Sequence, residues 1–266
     1  MASALLHAVA AASPLAAAAA TSLALQLFGW CIAVALKTER FFDLTGSATF
    51  LAVACGSYAL SGAATKRSLL LTAAVCVWAA RLGGHLFSRV LKQRDKRFDK
   101  VRDKPLRFAV WWCIQAVWVF LTVLPLVLLN SRAAQPALWW GDAIGFALWA
   151  VGFGLESVAD YQKSAWKRAQ PVGSSAWIDT GLWSLSRHPN YCGEILAWLG
   201  VAAVAASGGV PLLQALISPV FVAFLLLRVS GVPPLERAAA ARWGSDPAWA
   251  AYVKRTRLLL PMPQGM

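Results

Sequence analysis

The chain has 266 residues, of which 59% are hydrophobic, 14% are charged and 14 are Trp; that composition excludes a soluble domain and indicates a polytopic membrane protein. The formal net charge of +13 does not indicate nucleic acid, because the basic residues gather in the loops between apolar segments. Cys31, Cys55, Cys76, Cys113 and Cys192 show no C-x-x-C spacing, so free thiols are expected, with neither a disulfide framework nor a metal site.

Seven segments are long and apolar enough to span a bilayer, at about residues 15–36, 48–64, 68–90, 108–129, 138–159, 189–207 and 211–229. The predicted fold is therefore all-α, one membrane domain over residues 1–266. The Ala-rich residues 1–20 lack the basic start of a signal peptide and the Arg content of a transit peptide, and read as the lead into the first span. With seven spans, Lys37, Arg40, the run from Arg89 to Arg107, Lys163, Lys167, Arg168, Arg187 and the C-terminal cations share one side. Only Lys66, Arg67 and Arg132 fall on the other. The positive-inside rule then places the N-terminus outside and the C-terminus in the cytosol. Every acidic residue except Asp142 is also cytosolic, so any chemistry faces that side.

After the first span, Asp43, Thr45 and Ser47 are suited to cap the second helix. Glu39 and Asp43 at the cytosolic mouth exceed what a cap needs, and a carboxyl held against apolar surface can stay protonated and donate to a substrate carbonyl. The third span places Arg81, His85 and Arg89 four residues apart on one stripe. An arginine one turn deeper than a histidine needs a partner or a wet cavity. The basic cytosolic loop at residues 91–107 repeats Lys and Asp every four residues between Lys92 and Lys104, which predicts an exposed, ion-paired helix attracted to anionic lipid. Trp111, Trp112, Trp118, Trp139, Trp140 and Trp149 read as interfacial belts and lipid-facing packing. Gly152-Phe-Gly154 lacks the third glycine and the strand-to-helix setting of a dinucleotide fingerprint.

Residues 156–194 form the expected cofactor region. Glu156, Asp160, Lys163 and Lys167 lie three or four apart at the end of the fifth span, acceptors first and donors after. Carboxylates suit ribose hydroxyls or an amide, and lysines suit phosphates. Arg187, His188, Asn190, Tyr191 and Glu194 then crowd into eight residues between two apolar segments, where hydrocarbon penalises each of them. Pro189 suits the first turn of a helix, so the first N–H groups of that helix and the Arg187 guanidinium together make an anion site. Asn190 and Glu194 share a face of it. After the seventh span, the sequence from Arg228 to Glu236 breaks the helix and restarts it, and a cytosolic amphipathic segment at residues 233–257 lies at the interface and covers the site.

Five stretches of this chain resemble one family. Ser186-Arg-His-Pro-Asn-Tyr-Cys-Gly-Glu194, with Asp179-Thr-Gly-Leu-Trp183 and Glu156-Ser-Val-Ala-Asp160 before it and Leu227-Arg-Val-Ser-Gly-Val-Pro-Pro-Leu-Glu236 after it, closely resembles the widespread uncharacterised branch of the steroid 5-alpha-reductase superfamily, as does Phe42-Asp-Leu-Thr-Gly46. The resemblance implies seven membrane helices, a cytosolic NADPH site, and hydride transfer to an activated double bond of an apolar, lipid-like substrate in the endoplasmic reticulum membrane. It also implies cofactor contacts at Glu156, Asp160, Lys167, Asn190 and Arg228, with Lys167 standing where the steroid enzymes carry Arg. Leu86 stands where those enzymes place a substrate-holding Tyr, which argues against a steroid 3-ketone. The Arg-His-Pro-x-Tyr core is also similar to isoprenylcysteine carboxyl methyltransferases, where it contributes to binding S-adenosylmethionine.

Three functions are thereby expected, in descending order. The first is an NADPH-dependent reductase of a carbon–carbon double bond, with Glu39, Asp43 or His85 as the catalytic proton donor. Its cofactor set is Glu156, Asp160, Lys163, Lys167, Arg187, His188, Asn190, Tyr191, Glu194, Arg228 and Glu236. The second is a lipid or prenyl-cysteine methyltransferase, Arg187 taking the carboxylate of S-adenosylmethionine and Glu194 or Glu236 its ribose. The third is a non-catalytic lipid-binding protein. Membrane lipids are the expected surroundings in each case, and neither a metal nor nucleic acid is an expected partner.

Overall fold

A computed structural model describes residues 13–61, 64–92, 95–171 and 173–261. The Ala-rich lead before Ser13, Gly62 and Ala63 of the second predicted span, and Gln93 and Arg94 of the basic run lie outside the described residues. Among those described, the regular structure is helical, with one isolated parallel bridge between Ser186 and Arg257. The helices are α1 (Pro14–Ala35), α2 (Phe42–Ala59), α3 (Lys66–Lys92), α4 (Pro105–Asn130), α5 (Trp140–Ala169), α6 (Pro189–Ser207), α7 (Leu212–Ala215), α8 (Ile217–Phe224), α9 (Val232–Trp243) and α10 (Pro247–Arg255). Five stretches are long and apolar enough to cross a membrane: Pro14–Ala35, Lys66–Leu91, Pro105–Asn130, Trp140–Ala169 and the interrupted Leu212–Trp243. The other two predicted spans are helices of 18 and 19 residues. Their opening turns carry Asp43, Thr45 and Ser47 in α2 and Asn190 and Glu194 in α6, which lowers their mean hydropathy.

The chain divides into two compact units, one of residues 1–142 with 202–218 and one of residues 143–201 with 219–266. In the first, α2, α4 and α1 meet through side chains that satisfy one another where water is absent. Ser22 donates to the Ala116 carbonyl at 2.8 Å, Gln26 Nε2 to Thr49 Oγ1 at 2.8 Å, and Gln115 Nε2 to the Phe42 carbonyl at 2.9 Å. Thr49 passes its own proton back to the Thr45 carbonyl at 2.7 Å.

At the other end of that unit Arg67 and Asp142 are buried together, with Nε to Oδ1 at 2.6 Å and Nη2 to Oδ2 at 2.8 Å. Nη1 donates to the Pro136 carbonyl at 2.9 Å and Nη2 also to that of Ala137 at 3.0 Å. A cation at the start of α3 opposes the helix dipole; the carboxylate and two carbonyls of the α4–α5 connection override it.

Two local expectations are corrected. Helix α2 begins at Phe42, so Asp43, Thr45 and Ser47 lie inside it and none caps it; the residue ahead, Phe41, makes no side-chain cap. The Asp43 carboxylate is taken instead by Arg97, at 3.3 Å. Among the described residues the basic run is not one exposed helix either: α3 is described as far as Lys92, and Lys96–Phe98 form a single 3-10 turn. Phe98 is the cause. It is only 1% exposed, with its ring 4.7 Å from that of Phe42 and 5.6 Å from those of Phe108 and Trp111. Burying an aromatic ring outweighs surface ion pairs worth about 0.2–0.5 kcal/mol each.

Candidate functional site

The cofactor candidates all fall in the second unit, and what brings them together is backbone contact between α5 and α6. A Cβ added at Gly152 would stand 2.3 Å from the Ala197 nitrogen and 2.6 Å from the Gly193 carbonyl oxygen; one added at Gly193 would stand 2.5 Å from the Glu156 nitrogen. Gly200 approaches Trp149 in the same way, at 2.4 Å. Small residues thus let the two helices touch. Sequence reading passed over this spacing of seven between Gly145 and Gly152 and between Gly193 and Gly200, although it was there to be read.

One turn beyond the contact, Asn190 Nδ2 donates to Asp160 Oδ1 at 3.2 Å, joining the acidic stripe of α5 to the opening turn of α6. Glu156 and Asp160 are both buried. Lys163, a turn further along α5, lies with its ammonium 4.2 Å from the centre of the Trp183 ring, a cation–π contact. Trp183 in turn donates its indole N–H to the Ala159 carbonyl at 3.0 Å. Gly181, at φ 59°, opens the short 3-10 turn that carries Trp183. Lys167 sits exposed in the last turn of α5.

A second cluster forms on Glu236, in the first turns of α9. Its Oε2 accepts from Arg187 Nη1, and its Oε1 lies 2.8 Å from His188 Nε2. The His188 ring stacks on that of Tyr191, 3° from parallel at 5.4 Å. Arg187 is therefore already engaged by a carboxylate, one supplied from α9. Its Nε is buried with no hydrogen-bond partner among the described residues, as is the Ser157 hydroxyl beside Glu156. Arg228 is exposed in the π-helical turn Leu225–Val229, and no described contact joins it to the others.

The C-terminal segment fixes this cluster from behind. The Arg187 N–H donates to the Arg257 carbonyl at 2.9 Å, Ser186 Oγ donates to that of Leu259 at 2.8 Å, and the Tyr252 hydroxyl donates to that of Trp183 at 2.8 Å. Burial is the main reason that the Tyr252 phenol is pushed up to about 12, with Arg187 opposing and Asp179 and Glu236 adding to the rise. Ser186, Trp183 and Tyr252 thus position the site; sequence reading missed Ser186 and Tyr252 as positioning groups because their partners are about seventy residues away in the chain.

The three proton-donor candidates lie in the first unit. Glu39 is buried and receives Arg102 Nη1 at 2.8 Å. Asp43 accepts from Arg97 at 3.3 Å and lies 3.7 Å from Arg89, so its oxygens are occupied as acceptors and donation requires Arg97 to move away. His85 is half-buried on α3 between Arg81 and Arg89. Arg97 is shared with Asp95, whose carboxyl burial would raise; the Arg97 hydrogen bonds and charge outweigh that and hold it below the usual carboxylate range. The stability of this latch is therefore complete above the ordinary carboxylate pKa and lost as pH falls through the lowered one. The protection of the Val101 and Arg102 amides, which bond back to the Phe98 carbonyl, against hydrogen exchange, taken relative to the intrinsic rate at each pH, should fall on that acid limb. The pH dependence should flatten in Asp95→Asn.

A family model described as "Protein of unknown function (DUF1295)" matches residues 29–256. No curated protein and no solved structure matches the chain.

Proposed function

The chain belongs to the DUF1295 family, and from the two clusters on α5, α6 and α9 we propose that it is a membrane-embedded, NADPH-dependent reductase of a carbon–carbon double bond in a lipid-soluble, enone- or steroid-like substrate. The observation that carries this reading is the union of Asp160 with Asn190, in sequence next to Arg187 and His188. It sets acceptors for ribose hydroxyls or a carboxamide within a few residues of cations for phosphates. The buried Arg187 Nε, without an acceptor among the described residues, supports it, because a desolvated guanidinium N–H without an acceptor is costly and an anionic ligand would satisfy it. Lys163 and Lys167 would take phosphate oxygens, Asp160 and Asn190 the ribose or carboxamide. NADPH, when bound, supplies the hydride for one carbon of the double bond. Glu39, Asp43 or His85 would supply the proton, polarising the acceptor as charge develops. The seven-span topology with a cytosolic C-terminus, in an endoplasmic reticulum membrane, belongs to the same proposal.

One observation favours a second reading. Arg187 grips a carboxylate, that of Glu236, as it would grip the amino-acid end of S-adenosylmethionine in a lipid methyltransferase.

A thermal-shift titration of the detergent-solubilised protein with NADPH, NADH and S-adenosylmethionine separates these, since a ligand selective for the folded state raises apparent stability. NADPH should stabilise the wild type. Asn190→Ala and Arg187→Ala should each weaken that response by about 10- to 100-fold in ligand concentration, the loss of one charge-assisted hydrogen bond. Stabilisation by S-adenosylmethionine alone would transfer the assignment to methyl transfer, and no response to any of the three would leave a lipid-binding protein.

A further inference from the structure

In the first unit, α2 and α3 bring the sulfurs of Cys55 and Cys76 to 3.6 Å. Both thiols are free, Cys55 exposed and Cys76 half-buried. Among the described contacts Cys31, Cys113 and Cys192 have no such sulfur partner. Val77, next to Cys76 in the chain, is 50% exposed, and α3, which carries Cys76, is among the helices long and apolar enough to cross a membrane. Closing the gap to a bonded distance of about 2.05 Å asks for side-chain rotation on two helices that already touch.

We propose that Cys55 and Cys76 form a redox site open to the lipid phase, which closes to an interhelix disulfide by giving up its two hydrogens to lipid peroxyl radicals. Each thiol transfers a hydrogen atom to one peroxyl radical, leaving a lipid hydroperoxide and a thiyl radical. The two adjacent thiyl radicals then combine. Two thiols and two peroxyl radicals thus become one disulfide and two hydroperoxides. Hydrogen-atom transfer suits this place because it needs no thiolate, the form that hydrocarbon disfavours and that exchange with aqueous thiols requires. Peroxyl radicals formed on unsaturated acyl chains share the phase that Cys55 faces.

The test uses the full chain in vesicles of polyunsaturated phosphatidylcholine with a lipid-soluble azo initiator. After the remaining thiols are blocked with N-ethylmaleimide, peptides are mapped by mass. The expected result is a linked Cys55–Cys76 peptide, lighter by two hydrogens, which accumulates several-fold faster than any oxidised form of Cys31 or Cys113 and is absent from Cys55→Ser and Cys76→Ser. Wild-type protein should also delay lipid hydroperoxide build-up in its own vesicles relative to Cys55→Ser. A Cys55–Cys76 pair that stays alkylatable while Cys31 oxidises would overturn the proposal, as would links only between separate molecules. Circular dichroism of both serine variants guards against loss of fold, and the wild-type map reads the same outcome if either variant fails to fold.

Discussion

Replacing Arg67 by alanine should lower the unfolding temperature of the detergent-solubilised protein by on the order of 10 °C. Removing one partner of a buried pair costs about 3–5 kcal/mol because the other charge stays behind, and in a chain of this size each kcal/mol moves the transition by about 2–4 °C. Here Asp142 is the charge left behind, 4% exposed, with Trp139 N–H at 3.0 Å among its remaining donors. The loss also frees the carbonyls of Pro136 and Ala137 and loosens Gln135, whose amide donates to Ser68 Oγ at 2.8 Å and to the Leu129 carbonyl at 3.1 Å. Asp142→Asn should cost a comparable amount by stranding the guanidinium. The apolar double replacement Arg67→Met with Asp142→Leu should recover much of it, since the pair itself has low net worth once both desolvation costs are removed. Tryptophan fluorescence melts of the four proteins decide the matter: a double variant as unstable as either single one would mean that the carbonyl contacts, and not the charge balance, hold this connection.

The same residues show what sequence could and could not reveal. Asp142 stood out as the one acidic residue on its side of the predicted topology, yet Arg67 was only one of three cations placed there, and nothing local chose it. Helices were legible wherever hydropathy acted along a continuous stretch, and the start of α6 was read to the residue because Pro189 fixes it. Misreading came where a repeat satisfied a helical rule and a single aromatic ring overruled it, as Phe98 does to the lysine and aspartate pattern. In the candidate site, the stripe from Glu156 to Lys167 and the motif from Arg187 to Glu194 were legible as two polar groups, but not the bond between Asp160 and Asn190 that joins them. Glu236 as the carboxylate held by Arg187, and the strap from Arg257 to Leu259 behind Ser186, were not. Contacts across fifty to seventy residues leave no periodicity to read.

The glycine contact between α5 and α6 offers a way to disturb the site without touching any of its polar groups. In Gly193→Ala the new methyl would stand 2.5 Å from the Glu156 nitrogen and 2.6 Å from the Gly152 carbonyl oxygen, and these are backbone atoms that cannot rotate aside. The helices must separate. Overpacking of this kind costs about 1–3 kcal/mol, and the Asn190–Asp160 bond, at 3.2 Å and about one turn away, has no slack to follow the movement. Gly193→Ala and Gly152→Ala should therefore lower the unfolding temperature by several degrees and, on the proposed reductase reading, abolish the expected stabilisation by NADPH together. Gly154→Ala is the control: it lies on the same helix, but an added Cβ there meets nothing within 4 Å. With no clash, its gain in helix propensity of up to about 1 kcal/mol should leave the protein as stable or more so, with ligand response intact. If Gly193→Ala melted early yet kept its full response to NADPH, the cofactor would not depend on the union of Asp160 with Asn190, and the site would have to be rebuilt around Arg187 and Glu236 alone.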